Sequence, residues 1–488
     1  MRFPARAGCL LAAVLSFTAP LAAAPALNAQ SPGYDAHFGE RTMRVDYYHT
    51  GGLGQEIVSL DRVVADGAWP GSRTQLVDET NLGAYRFEVR DAASDALLYS
   101  RGFASVFGEW VTTAEAGVMH RTFHESLRFP WPKQPVTVVL QRRGEPQQLA
   151  PGAFEEVWRT TVDPASRFVN RADAAPRGRV LTFQEHGAAA SKVDLVLVAE
   201  GYTEAEAAKF ETDARRLLEA LFREEPFRSR RTDFNVRGLF IPAAASGGHR
   251  ARADQHRRTH FGTEYNIFDS ERYVLTQDNR SLRDAISTVP YEFIEVLVND
   301  AQYGGGGIFN AHSTVAVDSE FAEYVFVHEF GHHFAGLADE YYTSDVAYQT
   351  GAAVKPEPWE RNTTALHDPA RLKWRDLVTP GTPLPTPWEK AEYERHGQQI
   401  RERRQALVAR NAPQAEFDRL FAEQQAWETA FFQRQKYHGH IGAFEGAGYE
   451  VEGLYRPEID CVMFSRNPVG FCEVCRRALL EVIQLYTS

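Results

Sequence analysis

The stretch Val327-His328-Glu329-Phe330-Gly331-His332-His333-Phe334-Ala335-Gly336-Leu337-Ala338-Asp339-Glu340-Tyr341 decides how this chain is read. His328 and His332 are four residues apart, so a helix sets both imidazoles on one face, one turn apart, where they can bind one zinc ion. Glu329 stands beside them. It is placed to take a proton from an attacking water and return it to a leaving amine. Phe321, Val325 and Phe330 supply a face that can be buried, and Gly331 keeps the turn between the histidines slim. Gly336 can end the helix and turn the chain back. Asp339 and Glu340 then offer carboxylates where a third ligand is needed. His333 points off the metal face and reads as a surface histidine, or as one that supports the ligands from outside.

Working outward, the residues before this segment alternate between strand and helix. Val193 to Val198 reads as a buried strand. Gly201-Tyr202-Thr203 turns the chain, and Thr203 with Glu206 has the form of a capping box. A helix carrying Phe210, Ala214, Leu217, Leu218 and Leu221 at helical spacing follows. Phe234 to Ile241 and Ile294 to Val298 are further strands, so the region is an α/β unit. Gly304 to Gly307 reads as a flexible stretch, and Thr314 to Val317 as a short strand. Beyond the motif, residues 389–436 are rich in Glu, Arg, Gln and Ala and look like a helical hairpin broken near Asn411-Ala412-Pro413. The bland reading of that hairpin is a solvated insertion.

The N-terminal part has a different texture. Thr42 to Tyr48 and Tyr85 to Arg90 alternate, and Val136 to Leu140 and Val157 to Val162 are further strand candidates. Turn residues separate them, which suggests a β-sandwich. The expected organisation is a signal peptide over 1–29, a sandwich over 34–165, a linker over 166–178 and a catalytic domain over 179–488.

Arg2 and Arg6 precede an apolar run from Cys9 to Ala24, followed by small residues: the pattern of a secretory signal peptide. A spanning helix wants about 20 apolar residues, and Pro20 interrupts this run. The chain is therefore expected to be secreted or periplasmic, with no stable membrane insertion once the signal is removed. With 488 residues and a net charge of -12, it has room for two or three domains and no general affinity for nucleic acid or anionic lipid. Cys461, Cys472 and Cys475 remain after signal removal. In an oxidising compartment one pair is expected to form a disulfide, with one thiol left over. Cys472 and Cys475 could instead be half of a structural zinc site, but no second Cys/His pair sits at finger spacing.

Gly336 to Tyr341 resembles the metzincin extension that follows H-E-x-x-H and supplies the third zinc ligand. The common spacing places glycine seven residues after the first histidine and the ligand ten after it. Here Ala335 and Ala338 fill those positions, and Gly336 and Asp339 come one residue later. Asp339 is the favoured ligand, then Glu340. Glu445 is a distant candidate, by analogy with zinc peptidases that use a downstream glutamate. Tyr455 to Met463 resembles the approach to a methionine turn, which floors the zinc site; ordinary core packing of Met463 is the alternative.

Several segments together resemble the bacterial IgA-type metallopeptidases. They are Gly201-Tyr202-Thr203, Glu225-Pro226-Phe227, Phe234-Asn235-Val236, Tyr303 to Gly307, His328 to Tyr341, Gly442 to Ala447 and Tyr455 to Cys475. The resemblance covers most of residues 190–480. It implies an α/β (α+β) zincin-like catalytic domain preceded by an all-β sandwich, with Zn2+ as cofactor and a protein or peptide as substrate. It also implies an edge strand, from Gly304 to Thr314, that pairs with an extended substrate, and a tyrosine (Tyr341, Tyr342 or Tyr455) that helps hold the oxyanion. Immunoglobulin as substrate is not carried over, because loops set specificity. Two rivals stand beside this. One is a secreted binding protein with a structural zinc, which an intact Glu329 argues against. The other is a zinc hydrolase acting on a cell-wall amide, which only a substrate panel would separate.

Overall fold

The computed structural model describes residues 33–144, 153–270, 272–342 and 355–487. The expected signal segment, with Cys9, lies outside them. The N-terminal part opens with helix α1 (Tyr34–His37) and strands β1 (Phe38–Gly52), β2 (Gln55–Ala68), β3 (Tyr85–Asp91) and β4 (Leu97–Phe103). Helix α2 (Val106–Trp110), then β5 (Arg121–Pro132), β6 (Val136–Arg143), β7 (Phe154–Val162) and β8 (Val169–Asn170) complete it. The strands form two four-stranded sheets, ordered β5-β1-β2-β8 and β4-β3-β6-β7. Met43, Val45 and Tyr47 of one sheet share a core with Phe87, Val89 and Leu140 of the other.

β1 is longer than its alternating stretch and is buried at six successive positions, Thr42 to Tyr47. The alternation fails there because the outer face is covered too. Arg44 reaches Asp46 at 2.8 Å and Asp66 at 2.6 Å, and also pairs with Asp284 of the C-terminal part. Burying charge is tolerable only with such partners.

The C-terminal part contains β9 (Arg179–Gln184), β10 (Val193–Glu200), α3 (Ala207–Leu221), β11 (Phe234–Phe240), β12 (Thr263–Tyr265) and β13 (Val274–Thr276). It continues with α4 (Asn279–Ile286), β14 (Phe293–Val298), β15 (Gly305–Ile308), β16 (His312–Ala316) and α5 (Ala322–Ala335). Helices α6 (Lys390–Ala409) and α7 (Gln414–Gln433), hairpin strands β17 (Phe444–Ala447) and β18 (Glu450–Arg456), and helix α8 (Glu473–Thr487) end it. Its main sheet has the order β15-β16-β14-β10-β11-β9. The four central strands are parallel, and the two edges, β9 and β15, run antiparallel to their neighbours. β10 is buried at all eight positions, as a strand covered on both faces must be. The Thr203–Glu206 capping box precedes α3.

Helix α5 packs beside the sheet through Phe330 and Phe334. Their rings meet each other at 5.0 Å, and Phe334 meets Phe293 of β14 at 4.6 Å. Each buried phenylalanine contributes about 1.5–3 kcal/mol. Residues 305–307, read from sequence as flexible, are instead the edge strand β15. Their glycines are a packing requirement: a Cβ on Gly307 would lie 2.3 Å from the Glu329 carbonyl oxygen. The pair α6–α7 is not wholly solvated, since Phe421 packs against Tyr303 and Phe321 beside the start of α5. Among the described residues no helix is long and apolar enough to cross a membrane.

Candidate metal centre

Helix α5 fixes the first two candidate ligands. His328 and His332 lie on one face, with their Nε2 atoms 3.1 Å apart. The Asp339 carboxylate completes a triangle: its Oδ1 is 3.0 Å from His328 Nε2 and 3.2 Å from His332 Nε2. Each imidazole is held from behind. His328 Nδ1 donates to the Val462 carbonyl at 2.9 Å, and His332 Nδ1 donates to the Leu337 carbonyl at 2.5 Å. In the neutral, metal-binding form, with those protons on Nδ1, both Nε2 lone pairs face the same point, and among the described residues Asp339 Oδ1 has no donor besides the two imidazoles. Two lone pairs and a buried carboxylate oxygen at about 3 Å repel one another unless a metal cation, or in its absence a proton on one imidazole, lies among them. Ligands about 2.0–2.1 Å from a tetrahedral zinc are themselves about 3.3 Å apart, so the triangle has the size for that ion.

Glu329 also brings a carboxylate oxygen within 4.8 Å of the imidazole nitrogens. Asp339 is nearer, which makes it the third corner and leaves Glu329 to one side. Burial raises the Glu329 carboxyl above its ordinary range, partly offset by His328 and His332. Burial acts the same way on Asp339, but there the two imidazoles prevail and hold it well below the usual carboxylate range. Burial pulls His332 down, and Asp339 more than offsets this, bringing it up to about 9 when no cation is present.

The turn after α5 explains how Asp339 arrives. Gly336 adopts φ +57° and ends the helix, its N–H donating to the His332 carbonyl at 2.9 Å. The loop is then pinned from three directions. Asn362 Oδ1 accepts from Ala338 N–H at 2.8 Å, and the Met463 carbonyl accepts from Glu340 N–H at 2.8 Å. At the tip of the β17–β18 hairpin, Gly448 N–H donates to the Asp339 carbonyl at 2.9 Å and Tyr449 N–H to the Tyr341 carbonyl at 3.0 Å. Tyr449, at φ +64°, then donates its hydroxyl to Asp339 Oδ2. A left-handed aromatic residue is costly, and here it aims a hydrogen bond at the carboxylate. Met463 is fully buried under the helix, where a Cβ on Gly331 would meet its sulfur at 2.9 Å.

The triangle opens onto a cleft of about 530 Å³ lined by Glu329, Gly305, Gly307, Tyr341 and Tyr449, among others. Ala104, Glu109 and Thr112 of the N-terminal part also line it. The two parts join at this wall: Ala104 N–H donates to the Phe309 carbonyl at 2.9 Å.

Other sequence candidates lie elsewhere. Glu445 pairs with Lys390 at 2.8 Å and is not part of the cleft. Glu340 points behind the cleft to Asn362 Nδ2, 2.9 Å away. His333 is no surface residue: it is fully buried, with Nδ1 3.1 Å from Ser313 Oγ and 3.3 Å from Glu295 Oε1. Of the tyrosines, Tyr341 lines the cleft. Tyr342 is buried with no hydrogen-bond partner for its hydroxyl, and Tyr455 lies near Glu445. Sequence reasoning missed Tyr449 and Arg272. Arg272 Nη2 donates to Tyr341 Oη at 3.1 Å and its side chain lines the cleft. Both sit outside any metal motif.

The expected disulfide is absent: Cys461, Cys472 and Cys475 are all free and buried.

A family model described as IgA Peptidase M64 matches residues 181–483, and one described as Peptidase M64 N-terminus matches residues 33–152. A search of curated proteins finds no match.

Proposed function

The chain belongs to the IgA peptidase M64 family and is a peptidase; we propose that it is an exported, zinc-dependent endopeptidase with a zincin-like catalytic domain. One observation carries the zinc reading: the buried triangle of His328 Nε2, His332 Nε2 and Asp339 Oδ1, with no other donor for Oδ1 among the described residues and with Glu329 beside it in the cleft. Export is supported by the signal-like pattern of residues 1–29.

Zinc bound at this triangle would polarise the scissile carbonyl and make a water acidic enough to ionise near neutral pH. Three protein ligands leave the fourth position for the reaction, as catalytic sites require. Glu329 takes the proton of the attacking water and delivers it to the leaving nitrogen. Its burial, which raises the carboxyl, suits it to both halves of that transfer. Tyr341, held by Arg272, is the tyrosine that steadies the developing oxyanion. An extended substrate lies alongside β15, whose Gly305 and Gly307 line the cleft.

The test is Glu329→Gln. Turnover of casein should fall by about 10²–10⁴-fold, the usual worth of a general acid–base group, while metal content stays at the wild-type level. Undiminished turnover by a metal-loaded Glu329→Gln variant would remove Glu329 from this role.

A further inference from the structure

Behind the cleft, on the far side of the Asp339–Glu340 peptide, lies a second cluster. Glu340, Cys461, Cys472 and Cys475 are all buried, and one ligand atom from each lies within 4.8 Å of all the others. Cys461 Sγ and Cys475 Sγ are 3.9 Å apart, and Cys475 Sγ is 3.4 Å from Glu340 Oε1. A disulfide holds its sulfurs at about 2.05 Å, so the trio is not bonded. A tetrahedral zinc with sulfurs at about 2.3 Å and an oxygen at about 2.0 Å sets sulfur from sulfur at about 3.8 Å, and sulfur from oxygen at about 3.5 Å. The Cys461–Cys475 and Cys475–Glu340 separations match those edges, and the remaining pairs lie within 4.8 Å.

A second, independent feature points the same way. Glu340 is fully buried, and among the described residues its Oε2 has no hydrogen-bond partner. Asn362 Nδ2 serves only Oε1. A buried carboxylate oxygen left unserved among three thiols is costly unless a cation answers it. The backbone favours thiolates here. Cys472 N–H donates to Cys461 Sγ at 3.3 Å, and Cys472 immediately precedes α8 while Cys475 lies in its first turn, where the helix dipole stabilises negative charge. Soft thiolate ligands in a closed tetrahedron select zinc.

We propose that Glu340, Cys461, Cys472 and Cys475 bind a second, structural zinc ion. The ligand set is closed, with four protein ligands and no position for substrate. Binding releases the three thiol protons and forms three sulfur–metal bonds and one oxygen–metal bond, with no change of oxidation state. Its place in the fold gives it a task. Asp339 precedes one ligand, Val462 and Met463 follow another, and Val462 supplies the carbonyl that orients His328. The ion would tie the Asp339 loop, the Met463 floor and α8 together. The site itself does not rest on the catalytic reading, since it shares no ligand with the cleft.

Cobalt substitution of the full-length mature chain tests this, because cobalt–thiolate centres absorb strongly in the near ultraviolet and an imidazole–carboxylate centre does not. The cobalt-loaded wild type should show that band and bind two metal ions per chain. His328→Ala/His332→Ala should keep the band and lose one ion. Cys475→Ser should lose the band and one ion. Absence of the band in wild type overturns the proposal without any variant needing to fold. So does a wild-type chain in which two thiols become detectable only after reduction, since those two cysteines would then form a disulfide.

Discussion

His49 in the N-terminal part and the pair His328/His332 in the cleft are all histidines surrounded by carboxylates, yet their nitrogens face different things. His49 Nδ1 meets Glu125 Oε2 at 2.9 Å, and its Nε2 meets Glu56 Oε1 at 2.7 Å. Both nitrogens have acceptors, so the ring is doubly protonated and the protein answers its charge. Burial pulls His49 down, but Glu125 and Glu56 prevail and raise it to about 9. At the cleft each imidazole donates backward to a carbonyl, and the remaining nitrogens face each other and an oxygen that no further donor among the described residues serves. The first arrangement is complete in protein alone; the second becomes complete with a cation. The lesson is general: hydrogen bonding at the far nitrogen, more than the presence of a carboxylate, separates a structural histidine from a ligand.

Asp339→Ala is the sharpest way to break the contrast. It removes one corner of the triangle, and we expect the cleft metal and nearly all casein cleavage to be lost, as read by metal content and activity. A comparable change at His49, to Gln, should leave metal content and turnover untouched and lower thermal stability. If His49→Gln also lost metal, the contrast drawn here would fail. Tyr449→Phe is gentler. It deletes the hydrogen bond to Asp339 Oδ2, and supporting partners of this kind are worth about 10–100-fold in metal affinity or activity. Zinc titration of the variant against a competing chelator reads that loss; an unchanged affinity would show that the hairpin tip positions nothing.

The smallest expected effect is on stability against pH. The folded value of His49 lies above its unfolded value of 6.5. Its contribution is therefore full below about pH 6.5 and is lost as pH rises through about 9. The amount is on the order of 3 kcal/mol. Glu56 and Glu125, both lowered despite burial, act oppositely: their contribution is present above their unfolded value and fades as acid protonates them. Urea denaturation of wild type and His49→Gln at pH 6.5 and 9 should show the gap between them closing at the higher pH. A gap that stays constant would show that His49 is not charged in the fold.

The H-e-x-x-H spacing was legible because four residues is one helical turn and geometry leaves little choice. Asp339 was legible as a candidate because Gly336 returns the chain at once to the same face. Tyr449 and Arg272 were not, since a hairpin tip and the β12–β13 connection bring them in from over sixty residues before or after Asp339, and no local period announces that. Glu340 was read as a rival to Asp339. Adjacent residues in an extended loop point to opposite sides, so the two carboxylates serve different clusters. The cysteines read as a disulfide because pairing is the commoner fate of exported thiols; the fourth member of their cluster is a glutamate that no cysteine spacing reveals. β1 was visible as a strand, but not its burial on both faces, which depends on Arg44 meeting Asp284 across the two parts. Gly305 and Gly307 of β15 look like flexibility in sequence and prove to be clearance for α5, as Gly306 is for β13.

Every step of the proposed reaction depends on the cleft triangle holding a catalytic metal. The direct measurement is zinc content per chain in purified wild type and in His328→Ala/His332→Ala, beside casein digestion by both with and without chelator. The account predicts one zinc fewer in the variant, cleavage by wild type alone, and loss of that cleavage on chelation with recovery on adding zinc. Equal zinc content in the two proteins, or casein cleavage by the variant, would contradict it.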